Sequence, residues 1–386
     1  MDTHSSGLPL PLLPHDQIAA TLDPPPRWAV GLSAVVIVAL FALSWLVAPV
    51  VGPLPDVGGP IGELMSRIAV DAQVMRAIAT AATLLSVVLL YLLAVRLTDT
   101  RTALLATVLF GTSFSTLTVA RAALIEPLQL LLVIAAALCV VVSLEVKVRR
   151  YWELAALLLI TGMIVIDGGV WFVLPALVLT VGLPIQRTWR ELTRIGSIVA
   201  IGACIAVALR WWLHEQSASL ASLQWAADLQ PTGPTESTPI FHIGRIGLDP
   251  AQFDGTLTWL GTHEPLLLGL AAAGLGMAML RQEQLLMAVW LLLGVITLTL
   301  RVDLPESART LLIAPVCFLA AWTLSRIEVP DTSSRGRRRR GQSKQPAWTT
   351  VVVAAMVLVS ATRALMATPS SSKPTTVGSS QTVPAN

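Results

Sequence analysis

Residues 77–97 read Ala-Ile-Ala-Thr-Ala-Ala-Thr-Leu-Leu-Ser-Val-Val-Leu-Leu-Tyr-Leu-Leu-Ala-Val-Arg-Leu, with a single charge, Arg96, next to the last position. A hydrocarbon core about 30 Å thick takes about 20 apolar residues per helix. Ala77–Leu97 therefore spells one complete membrane crossing. The same signal recurs on both sides of it, at Trp28–Val51, Thr102–Ala120, Ala122–Leu144, Trp152–Ile166, Gly168–Leu183, Ile195–Leu213, Pro265–Leu280, Leu285–Leu300, Ala308–Leu324 and Trp348–Met366. The expected fold class is all-α, a polytopic membrane bundle of about 11 transmembrane helices. The pair 152–166 and 168–183 is short, and its joint Asp167-Gly168-Gly169 also fits the tip of a re-entrant hairpin.

The composition agrees. Of 386 residues, 54% are hydrophobic and 13% charged, and the mean hydropathy is +0.73. A soluble domain carries roughly 25% charged residues, so a water-exposed surface could not be covered. A cytosolic enzyme, a disordered scaffold and a secreted disulfide framework are excluded together. Cys139, Cys204 and Cys317 all fall inside apolar runs and read as small buried hydrophobes, not as a disulfide or metal set.

The charges set the expected orientation. With the N-terminus inside, 17 of the 26 basic and 10 of the 23 acidic residues fall on the inner side, leaving 9 and 13 outside. The inner face then nets +7 and the outer face −4, as basic short loops require. The reading divides the chain into a Pro-rich inner tail (1–27), a transmembrane domain (28–325) with an outer loop at 214–263, a basic inner loop (326–347), a last span (348–366) and an outer tail (367–386). The first span is too long for a signal-peptide core and the tail before it lacks a basic n-region, so it is read as a retained helix. The plasma (inner) membrane is the expected location, with the C-terminus extracytoplasmic. Arg335-Gly336-Arg337-Arg338-Arg339-Arg340 is read as a topology anchor on anionic lipid, not as a nucleic-acid patch; no nucleic-acid partner is expected.

No run matches a phosphate-binding Gly loop, an HExxH helix or a nucleophile elbow. His214, His242 and His263 are spaced too widely for a local metal motif, so nothing supports a divalent metal. Charges are scarce at mid-span and no internal repeat is visible, which disfavours a transporter or a flippase for a lipid carrier. Polar residues collect instead at the expected outer ends of helices: Asp56, Glu63, Arg67, Asp71 and Arg76; Arg121 and Glu126; Asp167; Arg210; Asp303, Glu306 and Arg309.

Five segments together carry a family resemblance. They are Leu89-Leu90-Tyr91-Leu92-Leu93-Ala94-Val95-Arg96-Leu97, followed by Arg101-Thr102-Ala103-Leu104-Leu105-Ala106; Arg121-Ala122-Ala123-Leu124-Ile125-Glu126-Pro127; Trp152–Gly162; and Glu306–Pro315. In order, spacing and sidedness, across roughly residues 60–325, they resemble the membrane core of GT-C glycosyltransferases of the protein mannosyltransferase and aminoarabinose transferase type. The resemblance implies a membrane enzyme that transfers a sugar from a polyprenyl-phosphate donor to an acceptor at the outer face. The lipid-linked donor would be a co-substrate, a divalent metal stays open without a motif to support it, and membrane lipids and the carrier would be partners.

On that reading Asp56 or Glu63 serves as general base and Glu126 orients the substrate. Arg121 and Arg309 hold the lipid phosphate, because a guanidinium binds phosphate bidentately and stays charged. The chain departs from the family in two places: Asp167 stands where relatives often carry a basic residue, and the first outer loop is short. Relatives carry a long first outer loop with an acidic motif, often Asp-Glu, ahead of a Pro-Pro-Leu-like element. Here about 25 residues join the first two spans, and Gly59-Pro60-Ile61 stands where the later element belongs. A second reading therefore stays open: a non-catalytic GT-C-derived subunit or lipid-binding scaffold of an envelope complex, with protein partners.

Overall fold

The computed structural model describes residues 72–120, 125–145, 149–166, 173–182, 193–209, 211–212, 258, 261–262, 264–281, 284–300 and 310–326, together with 31, 34–39 and 41–42. Among the described residues all regular structure is helical. The elements are α1 (Ala72–Leu97), α2 (Thr100–Thr112), α3 (Phe114–Val119), α4 (Ile125–Glu145), α5 (Arg150–Ile166) and α6 (Val173–Gly182); α7 (Thr193–Leu209); and α8 (Pro265–Arg281), α9 (Leu285–Leu300) and α10 (Ile313–Arg326). The architecture is that of a polytopic all-α membrane protein. Two stretches within single helices, Ala77–Leu97 and Glu126–Glu145, are long and apolar enough to cross a bilayer on their own. The proposed last span, the basic loop and both tails lie outside the described residues, as does nearly all of the 214–263 loop.

One expected span is two helices. The apolar run 102–120 divides at Ser113, whose backbone is extended (φ −62°, ψ 142°). The Ser113 hydroxyl accepts from the Thr116 N–H at 3.1 Å and so caps α3. Just before the break, a Cβ on Gly111 would lie 3.1 Å from three carbons of the Ile37 side chain, so a helix of the first span packs closely there. Of the expected span 168–183 the described part is the ten residues of α6, and residues 168–172 lie outside the described residues.

Helix starts follow local chemistry. Pro265 occupies the first position of α8, while Pro127, Pro175 and Pro315 sit third in α4, α6 and α10. The N–H groups of a first turn have no intrahelical partner, so proline costs nothing there. α2 starts at Asp99, whose carboxylate accepts from the Thr102 N–H (3.1 Å) and hydroxyl (2.7 Å), and this makes the turn after α1 short.

α1 packs against α2 and α4, α4 against α5, and α9 against α6; α10 lies between α2 and α8. Every residue of α10 from Ile313 to Leu324 is buried. Close approach relies on small residues, as helix pairs in lipid require. Thr323 Oγ1 donates at 3.0 Å to the Leu270 carbonyl and at 2.8 Å to its own Leu319 carbonyl, opposite Gly274. Similarly, Thr161 Oγ1 reaches the Gly202 carbonyl of α7 at 3.2 Å. The outward faces are apolar, with Ile78, Leu85, Val88 and Leu92 exposed on α1, Leu154 and Leu158 on α5, and Ile201, Ile205 and Leu209 on α7. In lipid such faces need no polar cover.

Several of the loops expected inside share one end of the bundle. Gln284, in the turn before α9 and at a positive φ of 54°, donates through Nε2 to the Leu97 carbonyl at 2.9 Å. Arg96 pairs with Glu145 at 2.8 Å, and Arg194 with Glu153. The Arg96 and Glu145 side chains are 50% and 36% exposed, and screened pairs of this kind contribute little. Arg96→Ala is therefore expected to change stability by less than about 1 kcal/mol, read as a nearly unchanged thermal midpoint in detergent.

Candidate functional site

Glu126 opens α4 at the end away from the Arg96–Glu145 pair. Of the five candidate site residues, Glu126 is described. It is the second residue of α4, half-buried and followed by buried Pro127. A carboxylate in a first turn is favoured by the helix dipole by about 0.3–1 kcal/mol. Asp56, Glu63, Arg121 and Arg309 lie outside the described residues, and so do Asp167, Arg210, His214, His242 and His263. Their neighbours in the chain do mark where two of them attach. Ala120, buried, precedes Arg121, and Thr310, buried, follows Arg309. The Thr80 hydroxyl of α1 donates to the Ala120 carbonyl at 3.4 Å. Among the described residues no group of His, Cys, Asp and Glu is placed to hold a metal ion.

The structure adds a residue that sequence reasoning passed over. Glu264 precedes α8 and is only 6% exposed. Its Oε1 accepts the Ser115 backbone N–H at 2.9 Å, a bond spanning 149 positions. Its carbonyl accepts the Leu268 N–H at 3.0 Å, closing the first turn of α8. The carboxylate is thus buried against the α2–α3 break, not in the outer loop where hydropathy leaves it. A buried charge left without a partner costs several kcal/mol, and a hydrogen bond to a charged group returns about 1.5–3 kcal/mol, so this bond offsets part of the burial.

The α2–α3 break beside that bond buries four polar side chains, Thr112, Ser113, Ser115 and Thr116, together with Phe114. Ser113 Oγ lies 2.8 Å from Thr116 Oγ1. A local signal for Glu264 does exist in the sequence. Glu264-Pro265 repeats the pattern of Glu126-Pro127, an acid followed by proline at the start of an apolar helix. Both fall at the same end of the bundle, and an acid-proline pair there marks a carboxylate drawn in with the helix start.

Comparison with known proteins gives the architecture its relatives. The family model of dolichyl-phosphate-mannose-protein mannosyltransferases matches residues 62–226. No curated protein matches the sequence. Among solved structures, ArnT from Cupriavidus metallidurans bound to undecaprenyl phosphate is similar with a TM-score of 0.55 at 15% identity, over 78% of this chain and 60% of ArnT. Its apo form gives 0.55 at 16% identity over the same shares. The apo oligosaccharyltransferase of Archaeoglobus fulgidus gives 0.52 at 14% identity, over 81% of this chain and 48% of that one. This chain thus spans 60% of the length of ArnT. The order of helices, the helical bundle and the matched segment converge: the chain is a polytopic membrane protein with the GT-C fold, and over residues 62–226 it carries the sequence pattern of the protein mannosyltransferases.

Proposed function

We propose that the chain transfers a sugar from a polyprenyl-phosphate donor to an acceptor at the outer face of the plasma membrane, with its N-terminus cytoplasmic. The observation that carries this reading is the mannosyltransferase match over residues 62–226, which takes in Glu63, Arg121 and Glu126 together. ArnT, of the same fold, is known with undecaprenyl phosphate bound, so a lipid phosphate suits this bundle. In the reaction an acceptor hydroxyl attacks the anomeric carbon and the bond from that carbon to the phosphate oxygen breaks. Asp56 or Glu63 takes the hydroxyl proton, Glu126 orients the sugar, and Arg121 and Arg309 stabilise the departing lipid phosphate.

The test is sugar transfer from labelled polyprenyl-phosphate donors by the purified chain and by Glu126→Gln. The variant is expected to lose about tenfold or more in rate, the scale of one misplaced orienting contact. Full activity in the variant would remove Glu126 from the site.

One observation favours a second reading. Only about 25 residues link the first two spans, where the resembling family keeps its acidic motif. A non-catalytic subunit or lipid-binding scaffold would fit such a loop. A stoichiometric partner retained through purification, with no transfer from any donor, would establish that reading over the first.

A further inference from the structure

We propose that the face shared by α5 and α7 is a lipid-selecting surface, which takes phospholipids with short acyl chains in preference to long ones. This selectivity is independent of the sugar-transfer reading. Two contacts fix how the helices lie. Glu153 of α5 pairs with Arg194 of α7, and Thr161 Oγ1 donates to the Gly202 carbonyl at 3.2 Å. Both contacts join residues 41 positions apart, so the helices run parallel and in register. Their approach is close, since a Cβ on Gly202 would lie 3.2 Å from Ile160 Cγ2. The outward side of the pair is apolar, with Leu154 and Leu158 of α5 and Ile201, Ile205 and Leu209 of α7 exposed, and Cys204 exposed among them. Exposed aromatic residues mark both ends. Tyr151 and Trp152 stand beside the Glu153–Arg194 pair, and Trp211 and Trp212 stand at the far end. Such rings belong at the membrane–water interface.

Between these marks the apolar wall is short. Arg194 and Trp211, both in helical conformation, are separated by a rise of about 26 Å at 1.5 Å per residue. On α5 the rise from Glu153 to the last residue, Ile166, is about 20 Å. Any tilt lowers these heights further. A hydrocarbon core is about 30 Å thick, so the wall falls short by about 4 Å or more. A short wall is met by snorkelling of its flanking residues or by a thinner bilayer. Snorkelling is restricted here, because Glu153 and Arg194 are held on each other with side chains only 20% and 32% exposed. The lipid must therefore give way, and short acyl chains do so at the lower cost. The demand is local. On α1 the apolar stretch Ala77–Leu97 has 21 residues and rises about 32 Å, a full core.

Cys204 supplies a native reporter on this wall. In the full chain carrying Cys139→Ala and Cys317→Ala, a bimane fluorophore is attached to Cys204 and the protein is reconstituted in mixed vesicles of dimyristoleoyl and dierucoyl phosphatidylcholine. Brominating one lipid and then the other makes each in turn the quencher, and the two quenching curves give the relative occupancy of short and long chains at the label. Cys204 is expected to prefer the short lipid at least about twofold. The same label on α1, at Val88→Cys with all three native cysteines replaced by alanine, is expected to show a ratio near unity. Glu153→Leu/Arg194→Leu moves the polar boundary out to exposed Arg150, about 4.5 Å further along the axis, and is expected to bring the Cys204 ratio toward unity. A ratio of one at Cys204 overturns the proposal. Equal preferences at Cys204 and Val88→Cys also overturn it, since the selectivity would then belong to the whole perimeter, as does an unchanged ratio in the folded double-leucine variant. Should that variant not fold, the comparison of the two label positions decides alone.

Discussion

Gly274→Leu is expected to lower the thermal midpoint of the detergent-solubilised protein by roughly 2–12 °C, or to prevent folding, whereas Ala273→Leu leaves it nearly unchanged. A Cβ at Gly274 would lie 2.5 Å from Thr323 Oγ1 and 2.6 Å from the Leu319 carbonyl oxygen. Neither atom can retreat cheaply. The Thr323 hydroxyl is committed to two carbonyls, and Leu319 is backbone within the fully buried run of α10. The contact must open by separating α8 from α10, and α10 also packs on α2. Overpacking a core costs about 1–3 kcal/mol, and for a domain of 150–250 residues each kcal/mol shifts the midpoint about 2–4 °C. Ala273 is on the exposed side of the same turn, so its substitution meets lipid. Midpoints from thermal scans of both variants check the pair; equal shifts would show that α8 and α10 do not meet at Gly274.

Under the proposed function, the double variant Arg121→Ala/Arg309→Ala is expected to weaken binding of undecaprenyl phosphate about 100-fold or more. A hydrogen bond to a charged group is worth about 1.5–3 kcal/mol, and effects of separate contacts add when the residues do not touch. Lysine at both positions should recover part of the loss, since it keeps the charge but not the bidentate fork. Binding measured by native mass spectrometry or by displacement of a labelled lipid phosphate separates this effect from catalysis. Affinity unchanged in the double alanine variant would take both arginines out of the phosphate site.

Hydropathy made most of the bundle legible, because a helix in lipid must be apolar over its whole length. The run 285–300 coincides with α9, and 265–280 with α8 but for one residue. The division at Ser113 was not legible for the same reason. The run stays uncharged across it, though Thr112, Ser113, Ser115 and Thr116 cluster there, and what completes the break, Glu264, arrives from 149 positions away. Periodicity has no access to such a partner. Glu126 was found because its acid-proline pair belongs to a resembling motif; Glu264 carries the same pair but stands at the edge of a long loop. Hydropathy assigns an edge acid to water, whereas the fold draws it inward on a backbone N–H.

The separation between Ser115 and Glu264 also has a meaning in time. At about 5–20 residues per second, a ribosome that has just made Ser115 needs roughly 7 to 30 s to reach Glu264. Throughout that interval the nascent chain holds the α2–α3 corner with the Ser113 cap and the Thr80 bond to Ala120, while α4 to α7 are being synthesised. A chain stalled before α8 would therefore carry that corner without its bond to Glu264.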